Sequence, residues 1–264
     1  MSTFIKLELF LKKFVLTILG GTMKIRVFSF ILITGWFVSF IFGAENTIKQ
    51  SFPLSQPGSV RLETVRGDID ISTHSGNEVK IEAIVSADDS AELEKMKLIF
   101  EAEADSVFIS TTPNSITAKA NIEYFLKVPE NLKSLQLSTL GGEIKSRGTY
   151  GDIDFKTTNG EIDFRGECSG CQLVSVNGDI DGYIKDILKG DISVKSANGS
   201  IKVTIKPDSG FTVEGSTVTG SIRSEFSTRV TSEPLGPKLS GTVNNGDYKL
   251  QLNTVNGNIQ LLRQ

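Results

Sequence analysis

Seven segments of this chain share one pattern, and it restricts the possible folds more than anything else in the sequence. The pattern is Ser or Thr, two variable residues, Gly, a small or acidic residue, then Ile. The copies read TVRGDI from Thr64, TLGGEI from Thr139, TTNGEI from Thr157, SVNGDI from Ser175, SANGSI from Ser196, TVTGSI from Thr217 and TVNGNI from Thr254. The isoleucine never varies: Ile69, Ile144, Ile162, Ile180, Ile201, Ile222 and Ile259. Five residues before the glycine, six of the seven copies carry a large apolar residue: Leu62, Leu137, Phe155, Leu173, Val194 and Leu252. Gly142, Gly160, Gly178, Gly199 and Gly220 are spaced 18, 18, 21 and 21 apart, and Gly257 follows after 37. A fixed period near 20 residues marks a solenoid, in which each unit buries its apolar face only against its neighbours. The gap of 37 fits two coils with a degenerate copy at Gly241-Thr242-Val243, and half-period copies at Gly151-Asp152-Ile153 and Gly190-Asp191-Ile192 give each coil at least two strands.

The physics of one coil can be read from these positions. A strand of alternating residues ends at the glycine and another begins at the isoleucine. Asn159, Asn177, Asn198 and Asn256 precede their glycines, and Asn-Gly tolerates the positive φ expected of a sharp corner. The isoleucine points inward and stacks on the isoleucine of the next coil, about 4.8 Å away. From Leu137 to Leu262 about seven coils fit, a rod of roughly 30 Å at that spacing. Residues 135–264 are therefore expected to form the solenoid. Residues 45–134 hold the first repeat and a β-rich cap over the open edge. The cap reads as strands at 58–71, 79–85, 98–112 and 121–128, with one short helix over Asp88–Met96, whose acidic first turn suits the helix dipole. The expected fold is all-β, a right-handed parallel β-solenoid.

The N-terminus carries an export signal. Val27–Gly43 is a continuous apolar run preceded by Lys24 and Arg26 and followed by small and polar residues, the layout of a secretory signal peptide. We read 23–44 as that peptide, with Met23 as the start and 1–22 as an upstream extension. An uncleaved anchor is the alternative, since the run lies at the lower limit of about 17–25 residues for a span. No Cys stands at the junction, which excludes a bacterial lipoprotein anchor. Loss of 1–44 removes Lys6, Lys12, Lys13, Lys24, Arg26 and Glu8, a net charge of +4, taking the chain from −3 to −7. So acidic a chain, without a basic stripe, is a poor binder of nucleic acid or anionic lipid. The protein is expected in the periplasm or on the outer surface. The only cysteines, Cys168 and Cys171, read first as a disulfide there, with free thiols or a redox or metal role as alternatives.

Several of these residues carry a resemblance. The VRGDIDI opening at Val65, the acidic DDSAELEKM, the YFLKVP strand before LSTLGGEI, the SVNGDI repeats, TGSIRSEF at Thr219 and the closing LNTVNGNIQL are similar to a bacterial family of adhesin-like β-strand-repeat domains of unknown function. The resemblance covers roughly residues 52–262. It implies a β-solenoid in the cell envelope and brings no catalytic residues.

Other motifs yield to the repeat. Arg66-Gly67-Asp68 is an RGD tripeptide, but all three positions are explained by the first copy of the pattern. Glu143, Glu161 and Asp179, then Ser200, Ser221 and Asn258, follow the corner glycines along one edge. They could hold a cation, but they also read as a solvated edge relieved by Lys145. Asp152/Asp154 and Asp179/Asp181 have the spacing of glycosidase carboxylates, yet Asp68/Asp70 and Glu161/Asp163 repeat it, which favours architecture over one privileged site. A histidine-ligated metal or a Ser-His-Asp triad would have to use His74 alone. The expectation is a non-catalytic envelope protein without a cofactor: an adhesin-like surface interaction module, or alternatively a periplasmic envelope-stress or scaffold component, with a carbohydrate-active enzyme third. Its partner is an unknown envelope or surface component, and membrane contact is through the signal segment alone.

Overall fold

The structure is a computed structural model describing residues 44–87, 90–93, 96–113, 120–187 and 190–264. The expected upstream extension, the expected signal peptide up to residue 43 and the flanks of the expected helix lie outside the described residues. In chain order the first elements are β1 (Ala44–Pro53), β2 (Ser59–Arg66), β3 (Ile69–His74), β4 (Glu78–Ala87), the four-residue helix α1 (Ser90–Leu93), β5 (Met96–Ala102), β6 (Ser106–Pro113) and β7 (Asn121–Pro129). The middle holds β8 (Ser134–Gly141), β9 (Ile144–Thr149), β10 (Asp152–Asn159), β11 (Ile162–Cys168), β12 (Gly170–Asn177), β13 (Ile180–Ile187), β14 (Ile192–Asn198) and β15 (Ile201–Ile205). The last elements are β16 (Phe211–Thr219), β17 (Ile222–Ser224), β18 (Arg229–Glu233), β19 (Gly236–Val243), β20 (Tyr248–Asn256) and β21 (Ile259–Arg263).

These strands form two sheets that are parallel through most of their width, the arrangement of a β-solenoid. The 10-stranded sheet runs β1-β4-β7-β3-β9-β11-β13-β15-β21-β17, and the 11-stranded sheet runs β18-β19-β16-β20-β14-β12-β10-β8-β2-β6-β5. Each repeat is a strand in the second sheet, a corner at its glycine, and a strand in the first sheet. Strict alternation puts one face of every strand inside. β10, for example, buries Ile153, Phe155 and Thr157 and turns Asp152, Asp154 and Lys156 outward.

The core is a set of columns running across the rungs. The repeat isoleucines pair in the order Ile69, Ile144, Ile162, Ile180, Ile201, Ile259, Ile222. All are buried except Ile222, which is partly exposed on the outermost strand. Burying each such side chain is worth about 1.5–3 kcal/mol. A second column runs Leu62, Leu137, Phe155, Leu173, Val194, Leu252, Gly215. Gly215 is the copy lacking the large residue. Its ladder partner on the other side is Leu239, whose buried side chain lies against that gap.

Three expectations are corrected. First, stacking order departs from chain order at the C-terminal end. β20–β21 lies between β14–β15 and β16–β17, so the gap of 37 residues does not hold two successive coils. Gly241-Thr242-Val243 belongs to β19, an antiparallel strand that covers β16. Second, Met96, the expected last residue of the helix, begins strand β5, and the described helical residues are Ser90–Leu93. Third, the positive φ expected at the corners falls on glycines, at Gly67, Gly142, Gly220 and Gly257, and not on the asparagines before them. Among the described residues only Asn131 and Asn244 adopt it outside glycine. The corner also needs glycine because rungs approach closely there. A Cβ on Gly178 would lie 1.9 Å from the carbonyl oxygen of Gly160, and one on Gly160 equally close to that of Gly142.

Candidate functional site

The corner at the glycines is the most regular surface of the molecule, built from five residues of each repeat. First comes the Ser or Thr, which points inward although it is polar. Its hydroxyl donates to the corner glycine carbonyl of the neighbouring rung: Thr157 to Gly142 at 3.0 Å, Ser175 to Gly160 at 3.0 Å, Ser196 to Gly178 at 3.1 Å, Thr254 to Gly199 at 2.8 Å and Thr217 to Gly257 at 2.8 Å. A buried hydroxyl without a partner would be costly, so the repeat demands Ser or Thr. Sequence reading left this role unassigned. Its signal was a hydroxyl in every copy at a position whose alternation makes it inward.

The second residue points outward, yet is apolar in most copies: Val65, Leu140, Thr158, Val176, Ala197, Val218 and Val255. Leu140 is 57% exposed, Val218 55%, Val255 46% and Val176 41%. The third residue forms an amide ladder. The Asn177 side chain donates to Asn159, Asn198 to Asn177 and Asn256 to Asn198, each at 2.8 Å. The glycine follows, and then the acidic or small residue. At that place Asp68 accepts from the Glu143 amide at 2.8 Å, Asp179 from the Ser200 amide at 2.7 Å, and Asn258 from the Ser221 amide at 2.9 Å. These side chains therefore cap the next rung's backbone. Lys145 bonds Glu143 at 2.5 Å, and that bond holds the ammonium above its usual pKa. Arg66-Gly67-Asp68 is one such corner, with Gly67 buried between exposed neighbours.

The paired carboxylates are spread among cations. Asp154 meets Lys156 at 2.7 Å, Asp163 meets Arg165 at 3.0 Å, Asp181 meets Lys202 at 2.9 Å and Asp70 meets Arg147 at 3.6 Å. Such exposed pairs contribute about 0–1 kcal/mol each. His74 is used by its own turn: Nδ1 accepts from the Gly76 amide at 3.0 Å and Nε2 lies 2.8 Å from the Glu78 carbonyl. Among the described residues no cluster of His, Cys, Asp or Glu could hold a metal ion. Cys168 and Cys171 are free and buried in this structure. Cys171 takes the place of an aliphatic residue in a core column, between Ile153 and Ile192. Burial, reinforced by Cys168, pushes its thiol well above the usual range. Away from the corner, a shallow hollow on the second sheet is lined by Ser59, Arg61, Phe108, Ser134 and Gln136, with the Arg61 guanidinium 5.6 Å from the Phe108 ring centre.

This repeating architecture matches a known family, Toastrack DUF4097, over residues 20–262. The chain belongs to that family. Several solved structures are similar to this chain at low identity. A candidate cell adhesion protein from Clostridium sporogenes is 10% identical, with 83% of this chain and 100% of that one covered and a TM-score of 0.46. A candidate adhesin from Bacteroides fragilis is 11% identical, covering 82% and 97%, with a TM-score of 0.38. A candidate lipid-binding protein from Parabacteroides distasonis is 14% identical, covering 82% and 97%, with a TM-score of 0.40. No curated protein matches this Toastrack chain.

Proposed function

We propose that this Toastrack protein is a non-catalytic, exported interaction module of the cell envelope, adhesin-like in the sense that an extended surface makes contact. One observation carries the reading: the corner presents the same sequence of chemistries, apolar side chain, amide, bare backbone and acid or small polar group, again and again along the stack. Catalysis needs a few groups converging on one reacting atom. A repeated array suits contact along a line, where many weak interactions add up.

In this reading residues 1–22 are an upstream extension and 23–44 a signal peptide. The cap and first repeat span 45–134, and right-handed coils span 135–264, the hand favoured for parallel strands joined by crossovers. Export supplies an oxidising compartment, in which Cys168 and Cys171 close to a disulfide. Its stabilisation is small because the loop is short.

Protease treatment of intact cells tests the location. Digestion of the protein while periplasmic markers survive supports a surface module. Full protection until the outer layer is opened points instead to the periplasmic scaffold. N-terminal sequencing of the exported chain is expected to begin near Ala44 or Glu45, and recovery of intact Val27–Gly43 would show an anchor. Alkylation and intact mass report the cysteines, and two labelled thiols without reductant would refute both the disulfide and the compartment it implies.

A further inference from the structure

The second residues of the corners form one line and, Thr158 apart, all are apolar. Ladder pairs on either side of each place Val65 beside Leu140, then Thr158, Val176, Ala197, Val255 and Val218 in line. At the far end Gly236 packs against the backbone of Thr217 and Val218, which brings Leu235, 79% exposed, next to the column. Scattered exposed apolar residues are ordinary, but a continuous line of them marks a contact surface. We propose that this ridge is the seat of a second copy of the chain, packed antiparallel about a two-fold axis through Val176. The proposal rests on the interaction reading above and names its partner.

Three features select this occupant. The first is period. The ridge repeats at the strand spacing, about 4.8 Å, so a partner that matches it along its whole length is another stack of strands with the same spacing. The second is charge. The residue after each corner glycine is acidic on the first four rungs, Asp68, Glu143, Glu161 and Asp179, and uncharged on the next three, Ser200, Asn258 and Ser221. In the antiparallel arrangement Asp68 faces Ser221, Glu143 faces Asn258 and Glu161 faces Ser200, leaving Asp179 alone to meet its own copy. Side chains match in size as well: Leu140 meets Val255, Thr158 meets Ala197 and Val65 meets Val218. The third is area. A ridge about 30 Å long and about 10 Å wide buries roughly 600 Å² over both copies, below the roughly 1,200 Å² of a stable complex. The contact is therefore reversible and forms where copies are crowded, as two-fold contacts between identical patches do.

The test uses the full-length chain in intact cells, with single cysteines placed on the ridge and mild oxidation. Cys168 and Cys171 are buried, so the unmodified chain sets the background. Val176→Cys is expected to give a strong homodimer band. Leu140→Cys is expected to form dimer mainly when co-expressed with Val255→Cys, and Gln260→Cys, on the outer face of the other sheet, to stay at background. Each variant is first checked for an unchanged melting temperature, which exposed positions should give. No homodimer from folded Val176→Cys overturns the proposal, as does crosslinking of Val176→Cys only to other proteins. Self-crosslinking of Leu140→Cys as efficient as its crosslinking to Val255→Cys would show a parallel register and overturn it equally. These outcomes leave the envelope location to the protease experiment, so the two readings fail separately.

Discussion

From Ser134 to Ile205 the chain lays each repeat directly on the one before it, in the order β8–β9, β10–β11, β12–β13, β14–β15. At both ends that order is inverted. The first repeat, β2–β3, is covered by β6–β7, which comes later in the chain; the last, β20–β21, is covered by β16–β17, which comes earlier. Each outer pair is then flanked by antiparallel strands, β4 and β5 at one end and β19 at the other. The middle is governed by short connections, which leave a strand little choice but to stack on its predecessor. The ends answer a different problem. A bare parallel edge would offer unpaired backbone to other chains, and terminal segments fray. Tucking the terminal repeats inside and closing with antiparallel strands addresses both, except at β17, which stays a short parallel edge.

The largest expected effect contrasts the two regions at the same motif position. Ile180→Asp, in the middle, places a carboxylate between Ile162 and Ile201. Losing the side chain costs about 2–5 kcal/mol. Burying the carboxylate adds several more, comparable to the roughly 5–15 kcal/mol that holds a domain together, and the chain should not fold. Ile222→Asp, on the half-exposed end strand, should cost only about 1–2 kcal/mol. Thermal melts of the pair test this, and equal losses would erase the distinction between middle and end.

Alkaline pH probes the same contrast without mutation. Burial pushes the hydroxyls of Tyr124, in the N-terminal cap, and Tyr150, in the middle, up to about 12 from an ordinary 10. An unfolded chain loses these protons above about 10, the folded chain near 12. The stabilisation is therefore fully present below about pH 10 and disappears as pH rises toward 12, by about 2–3 kcal/mol for each tyrosine. Denaturant melts across this range should show one transition weakening. If Tyr124→Phe and Tyr150→Phe soften two separate transitions, the cap and the stack unfold independently.

Adjacent glycines sharpen the account of the corner. Gly178→Ala should lose about 1–3 kcal/mol because its Cβ would strike the Gly160 carbonyl. Gly141→Ala should be nearly silent, since the nearest atom a Cβ would meet is 3.9 Å away. The smallest effect belongs to Asp181→Asn, which removes an exposed pair with Lys202 and should shift stability by less than about 1 kcal/mol. A large loss at Asp181 would mean that the outward face matters to the fold as much as the inward one.

Much of this molecule was legible from one pattern. An isoleucine that never varies between variable neighbours already implies an inward column, because alternation on a strand leaves that position no other use. The corner glycines were legible too, for half of the reason: positive φ holds at Gly67, Gly142, Gly220 and Gly257, but the close approach of the next rung is not displayed by the sequence. Stacking order was not legible at all. TVTGSI and TVNGNI are nearly equivalent, and either could sit on β14–β15. Choosing TVNGNI depends on the gap at Gly215, filled by Leu239 from an antiparallel strand, and on the covering role of β16–β17, both of which exist only once distant segments meet. An apolar second residue was written in six of the seven copies, yet only the ladder register turns those separate residues into a ridge. Local periodicity therefore determined which residues lie inside and where the chain turns, because those depend on neighbours in sequence. Only the tertiary structure decided which repeat lies on which and what the corner presents, because those depend on contacts between segments far apart in the chain, such as that of Glu143 with Asp68, 75 residues away.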